Sequence, residues 1–298
     1  MYKLIAIDID GTLLKTDKTL SPSTIKAIKE ATQKGVKVIL ATGRPIQGVE
    51  KYAKELNINS EEDYGIACSG AFVQCLGTKK VLFESTLSYD DLQFLYNMAQ
   101  ELKITLNILL QKEDLILTPT LNLTTQLEAM LSNLNMKIID FNALNKDIVI
   151  NRAVYINENA SFTEHLRNLI KRNNYSLTLP KVSSGNDELV LDKDNLPEKL
   201  FNRFTVLRPS YNTLEILSKG VSKGTGVNLI AERLGIKQEE IICIGDSGND
   251  IAMIEYAGLG VAMGNASPHV KEMADFITLS NEEDGVAHVI NKFILKES

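Results

Sequence analysis

Cysteine is scarce in this sequence. Cys68, Cys75 and Cys243 make an odd count, and none shows the paired spacing of a zinc site, which excludes a disulfide framework and a structural zinc cluster. Ordinary buried thiols are expected. Histidine is equally sparse: His165, His269 and His288 share neither spacing nor an obvious partner, so none is assigned as a base or a ligand. A run of about 18 apolar residues, the minimum for a membrane-crossing helix, is also missing. Residues 1–14 reach Asp8 and Asp10 too soon to serve as the apolar stretch of a signal peptide. A reducing cytoplasm and no membrane partner are expected. Excess positive charge is lacking as well. Lys plus Arg total 32 against 38 for Asp plus Glu, a net charge of -6, so no broad cationic face is available for nucleic acid. A small anionic substrate stays compatible, because local charge can oppose net charge.

What is present is an ordinary globular composition, 44% hydrophobic and 23% charged over 298 residues, enough for two domains. Several apolar runs end abruptly in small or acidic residues: 2–7 in Asp8, 36–41 in Thr42-Gly43, 64–68 in Ser69-Gly70, and 240–244 in Gly245-Asp246. Continuous rather than alternating runs suit strands buried on both faces of a parallel sheet. Helical patterns fall between them. Residues 21–34 carry Pro22 near the start and Gly35 just past the end, and 223–234 and 249–257 are each followed by glycine, at 235 and 258.

Alternating strands and helices predict an α/β fold with a doubly wound parallel-sheet, Rossmann-like core, whose ligands sit beyond the carboxyl ends of the strands. Asp8, Asp10, Thr42, Ser69 and Asp246 would line that crevice. Between residues 85 and 217 the pattern lapses. Segments 149–156 and 204–208 still read as strands, and 87–102 and 161–173 as helices, which predicts an inserted α+β domain at 85–217 within a core of 1–84 and 218–298.

Asp8 and Asp10 end the first strand two residues apart, followed by Gly11 and Thr12. Carboxylates so close either share a cation or keep one proton, unless the segment is merely a solvated turn. Thr42-Gly43-Arg44 before Pro45 offers a hydroxyl and backbone N–H groups at a helix start, a place suited to phosphate or to ordinary capping. Lys223 opens a helix, where lysine is usually a surface residue, and the glycines before it lack P-loop spacing. Asp246, Asn249 and Asp250 crowd into Gly245-Asp246-Ser247-Gly248-Asn249-Asp250, more than helix capping needs. The glycines of 258–264 fall in and after an apolar strand, so they do not form a dinucleotide turn.

In this order the motifs resemble the haloacid dehalogenase superfamily, specifically its Cof-like phosphatases with an α+β (class IIB) cap. The likeness extends to residues 211–216, 260–266 and 281–286. The middle segment matches in length and position alone, and Ser69 stands where the family commonly has Asn.

The resemblance implies a Mg²⁺-dependent phosphatase. In it, Asp8 would be the nucleophile forming an aspartyl-phosphate, and Asp10 the general acid and base, its pKa raised by neighbouring anions. Mg²⁺ would be held by Asp8, Asp246 and the Asp10 backbone carbonyl, with Asp250 behind them orienting the cluster or Lys223. Thr42, Gly43, Lys223 and Asn249 would contact the phosphate. The inserted domain would act as a lid that chooses the leaving group, with Tyr211 and Glu215 as contacts or, more simply, packing residues. The expected substrates are small phosphorylated metabolites, sugar phosphates first and nucleotide or cofactor phosphates next. The alternatives are a phosphomutase of the same superfamily, a phospho-acceptor module like a response-regulator receiver, and a catalytically idle sugar-phosphate sensor.

Overall fold

The structure is a computed structural model that describes residues 1–158, 196–210 and 212–296. The helix expected at 161–173, His165 and Tyr211 lie outside the described residues. The chain divides into two compact units, residues 1–85 with 220–298, and residues 86–219.

The first unit is built on an eight-stranded sheet: β1 (Leu4–Ile7), β2 (Lys37–Ala41), β3 (Tyr64–Ala67), β4 (Phe72–Cys75), β5 (Val81–Glu84), β12 (Ile241–Gly245), β13 (Leu259–Ala262) and β14 (Phe276–Ile277). Their order is β14-β13-β12-β1-β2-β3-β4-β5. The six strands from β14 to β3 run parallel, whereas β4 and β5 fold back as an antiparallel meander that closes one edge.

Strands β1 and β12 are buried along their whole length, as continuous apolar runs require. Alternation sends Leu4, Ala6, Ile39, Ala41, Ile241 and Cys243 to one face, where they pack with Val227, Ile230 and Ala231 of the helix Lys223–Leu234 and with Met253. Their neighbours Ile5, Ile7, Val38 and Leu40 are equally buried on the other face. The helix Ile46–Glu55 lies on that second face, its Val49 so near Gly65 that a Cβ there would stand 2.6 Å from Val49 Cγ1. The helix Pro22–Gln33 starts as its sequence dictates: Pro22 occupies the first turn and Ser21 Oγ accepts the Thr24 N–H at 3.1 Å.

From β1 the chain winds outward to β2 and β3, and after the second unit it returns to β12 on the opposite side of β1, then winds outward again through β13 and β14. The switch in direction falls between β1 and β12. Crevices open at such points beyond the strand ends, and there the first-strand and Gly245-loop carboxylates meet.

The second unit has a six-stranded sheet: β6 (Thr105–Leu110), β7 (Leu115–Thr118), β8 (Asn135–Ile138), β9 (Arg152–Ile156), β10 (Phe204–Ser210) and β11 (Thr213–Ser218), in the order β10-β11-β9-β6-β7-β8. Its pairings are antiparallel apart from β7 with β8. The helix Tyr89–Leu102 covers one face, burying Leu92, Leu95, Met98 and Ala99 against Leu106, Ile108, Tyr155 and Ile216. The buried Tyr155 hydroxyl is satisfied by donating to the Leu95 carbonyl at 2.8 Å. Glu215 is buried too, and accepts from Arg152 Nη1 at 3.1 Å.

Candidate active site

Register fixes the level of each functional residue. Ile7 pairs with Ile244 on one side and with Leu40 on the other, so Asp8, Ala41 and Gly245 stand side by side, with Thr42 and Asp246 one residue beyond. The Asp8 N–H donates to the Ile244 carbonyl at 3.0 Å, extending the ladder by one bond, and the Thr42 N–H donates to Ile66 O at 2.9 Å. The chain then turns sharply at Gly11, whose φ of +80° suits glycine, and a Cβ there would lie 2.5 Å from Asp246 Oδ2. The close approach of the first loop to Asp246 therefore depends on the missing side chain.

Carboxylate oxygens of Asp8, Asp246 and Asp250 all lie within 4.8 Å of one another, as one cation site requires. Lys223 stands among them, fully buried, its Nζ donating to Asp8 Oδ1 at 2.5 Å and to Asp250 Oδ1 at 2.6 Å. The surface position that lysine usually takes at a helix start is overridden here by two buried anions. Asp250 Oδ2 accepts the N–H groups of Asp246 and Ser247 at 3.0 and 2.9 Å. Both oxygens of Asp250 are thus engaged in holding Lys223 and the Gly245 loop. Asp246 keeps more capacity, accepting single hydroxyl bonds from Thr12 at 2.9 Å and Ser247 at 3.1 Å.

Burial raises the Asp8 carboxyl well above its usual range against the pull of Lys223, and Asp250 and Asp246 add to the rise. Burial and then Asp250 lift Asp246 to about 6. The Lys223 ammonium, despite its own desolvation, is held charged by Asp250 and Asp8. An all-oxygen donor set whose protons are this hard to remove by burial and like charge fits a hard divalent cation, with Asp8 and Asp246 as the side chains able to hold it.

Asp10 departs from expectation. It does not crowd Asp8; its carboxylate pairs instead with Arg44, from Nε at 2.5 Å and Nη2 at 2.6 Å, and with Lys18 Nζ at 2.7 Å. Although burial pushes the other way, Arg44 and then Lys18 hold Asp10 down to about 2, so the raised pKa is corrected to a lowered one. The cause is the pairing of this carboxylate with two cations. Neither was assigned from sequence. Arg44 belongs to the Thr42-Gly43-Arg44 motif, while Lys18 is an ordinary loop lysine without a signal.

The Thr42-Gly43-Arg44 segment also differs in detail. The Thr42 hydroxyl accepts the Arg44 N–H at 3.1 Å, so that N–H is not open to a ligand as the helix-start pattern suggested. Arg44 O and Thr42 O in turn accept the N–H groups of Cys68 and Ser69, both at 2.9 Å. Asn249 is buried, its Nδ2 donating to Ser69 Oγ at 3.3 Å. Asn265 Nδ2 donates to the Gly11 carbonyl at 2.8 Å and Asn281 Nδ2 to Leu14 O at 2.9 Å, ties that brace the loop after β1 and were missed in the sequence. All three cysteines are buried, and none forms a disulfide. Among the described residues, no helix is long and apolar enough to cross a membrane.

A family model described as haloacid dehalogenase-like hydrolase matches residues 5–290. YxeH of Bacillus subtilis (strain 168), named for an inferred phosphatase activity, is 38% identical over 297 residues and the match covers 99% of either chain. A second protein of the same strain, 5-amino-6-(5-phospho-D-ribitylamino)uracil phosphatase YcsE, is 30% identical over 293 residues, 98% of this chain and 96% of its own. The crystal structure of a haloacid dehalogenase-like hydrolase from Bacteroides thetaiotaomicron aligns with a TM-score of 0.74 at 27% identity, covering 99% of this chain and 100% of that one.

Proposed function

The chain belongs to the haloacid dehalogenase-like hydrolase family, and from that premise we propose that it is a Mg²⁺-dependent phosphatase of small phosphorylated metabolites, sugar phosphates first. The observation that carries this reading is the buried Lys223 bridging Asp8 and Asp250 within 2.6 Å, beside an Asp246 carboxylate that completes an oxygen cluster no wider than 4.8 Å. Such a cluster concentrates positive and negative charge where a phosphate ester would have to be neutralised and positioned, which is most of the work of phosphoryl transfer.

Asp8 is assigned as the nucleophile: one carboxylate oxygen forms a bond to phosphorus as the bond to the leaving alkoxide breaks, giving an aspartyl-phosphate. Water then attacks that phosphorus, passes a proton to Asp10, and breaks the bond to Asp8 with release of phosphate. Asp10, paired with Arg44 and Lys18, is an ionised carboxylate and thus already in the form that accepts this proton. Donating a proton to the leaving alkoxide first requires release of that pairing, because a carboxyl held at about 2 carries none at neutral pH. Lys223 offsets the charge of Asp8, while Thr42, Asn249 and backbone N–H groups near Gly11 and Gly43 are assigned to the phosphate oxygens. Mg²⁺ held by Asp8, Asp246 and the Asp10 carbonyl would supply charge neutralisation on the phosphate.

A phosphomonoester borne on a polyhydroxylated carbon chain is the substrate class supported by the relative YcsE, whose named substrate carries a phosphoribityl group. The unmodified protein is expected to release phosphate from an aryl phosphate ester, with Asp8→Asn or EDTA abolishing the release. Full turnover after either treatment would remove the mechanism. A panel of phosphorylated metabolites ranked by kcat/KM identifies the preferred substrate.

A further inference from the structure

Three successive residues, Cys68, Ser69 and Gly70, have positive φ values of 51, 50 and 105°. Residues with a Cβ avoid this region, and two of them in a row persist only where the surroundings impose it. The surroundings here are three separate motifs of the first unit. From the end of β2, Arg44 O and Thr42 O accept the N–H groups of Cys68 and Ser69. From the start of the helix Lys223–Leu234, Ser222 comes so near Gly70 that a Cβ there would stand 2.0 Å from the Ser222 carbonyl oxygen and 3.1 Å from Lys223 N. From the Gly245 loop, Asn249 Nδ2 donates to the wholly buried Ser69 hydroxyl at 3.3 Å.

We propose that this strained turn aligns the phosphate side of the site, with Ser69 as a positioning residue that fixes the Asn249 carboxamide through its hydroxyl. The inference rests on the phosphatase reading and deepens it. A carboxamide presents N–H donors from one end and an acceptor oxygen from the other. Beside a phosphate the donor end attracts and the oxygen end repels, so an amide free to rotate would spend time in the wrong orientation. Holding one Nδ2 hydrogen on Ser69 Oγ sets the amide plane and leaves the second hydrogen aimed by covalent geometry. The cost is backbone strain in the turn, which the bonds from Thr42 and Arg44 and the close seat of Gly70 on Ser222 sustain.

The test separates the hydroxyl from the strain and from folding. Ser69→Ala keeps the strain and loses the acceptor; Ser69→Gly relieves the strain and loses the same acceptor. Both are expected to lower kcat on an aryl phosphate about tenfold, the order of effect that misplacing a positioned group produces. In an Asn249→Ala background either change is expected to alter kcat by less than about twofold, since residues acting as one unit are not additive. Unreduced kcat in Ser69→Gly, or the full tenfold loss repeated on top of Asn249→Ala, would overturn the proposal. The same cycle read by orthophosphate affinity keeps the two levels apart. Phosphate binding without turnover in the unmodified chain removes the hydrolytic reading yet leaves Ser69 to be judged by that cycle, and no phosphate binding at all removes both.

Discussion

Asp246 and Asp10 are displaced in opposite directions by their neighbours, and the two displacements have opposite consequences for pH. With Asp246 held up to about 6 when folded and an aspartate titrating near 3.8 when unfolded, the folded protein binds more protons between these values. Without a cation, stability therefore falls as pH rises across that window. Asp10, held down to about 2, makes a contribution that is in place above the unfolded value and is lost only as pH falls toward 2. A cation on Asp246 competes with its proton, so affinity strengthens as pH passes about 6. Added Mg²⁺ is expected to raise the melting temperature more on the alkaline side of that value than on the acid side, read by thermal denaturation. Equal shifts on both sides would contradict the assignment. None of this was legible from Asp8 and Asp10 being two residues apart. Their spacing suggested mutual repulsion, and the actual partner of Asp10 is Arg44, 34 positions away.

Among the elements, the helix Lys223–Leu234 matters most, because its first residue is the buried lysine. Its N-terminus is closed by a capping box in which Ser222 Oγ accepts the Thr225 N–H at 3.2 Å and Thr225 Oγ1 accepts the Ser222 N–H at 3.0 Å. Ser222→Ala removes half of that box and is expected to cost about 1 kcal/mol in chemical denaturation. A loss near zero would show that the helix start is held by Lys223 and its carboxylates alone. The helix ends at Gly235, whose φ of +66° forms the left-handed stop read from the sequence. The parallel strands were equally legible, since burial on both faces leaves uninterrupted apolar runs. The β4 and β5 meander was not: β5 alternates exposed and half-buried residues over four positions, too short a pattern to stand out from loop.

For the whole molecule, the residues assigned to catalysis, metal and phosphate all belong to the first unit, residues 1–85 and 220–298. The second unit has a core of its own around Leu95, Leu106 and Tyr155. Ligand binding stabilises what contacts the ligand, by about 2.7 kcal/mol at a hundredfold excess over Kd. Hydrogen exchange with Mg²⁺ added is therefore expected to slow in β1 and β12 and to stay unchanged in the helix Tyr89–Leu102. Slowing confined to the second unit would place the cation elsewhere.

The sequence by itself determined the parallel strands β1, β2, β3 and β12, the bounds of the helices Pro22–Gln33 and Lys223–Leu234 to within a residue, and the acidic motifs at the strand ends. Each of these is written in local terms, as apolar runs, start and stop residues and small polar clusters within a few positions. The tertiary structure alone decided which charges face one another: Lys223 between Asp8 and Asp250, and Arg44 with Lys18 on Asp10. The physical reason is that electrostatic partnership depends on distance and desolvation in space, and both are set by how strands align in the sheet, not by separation along the chain.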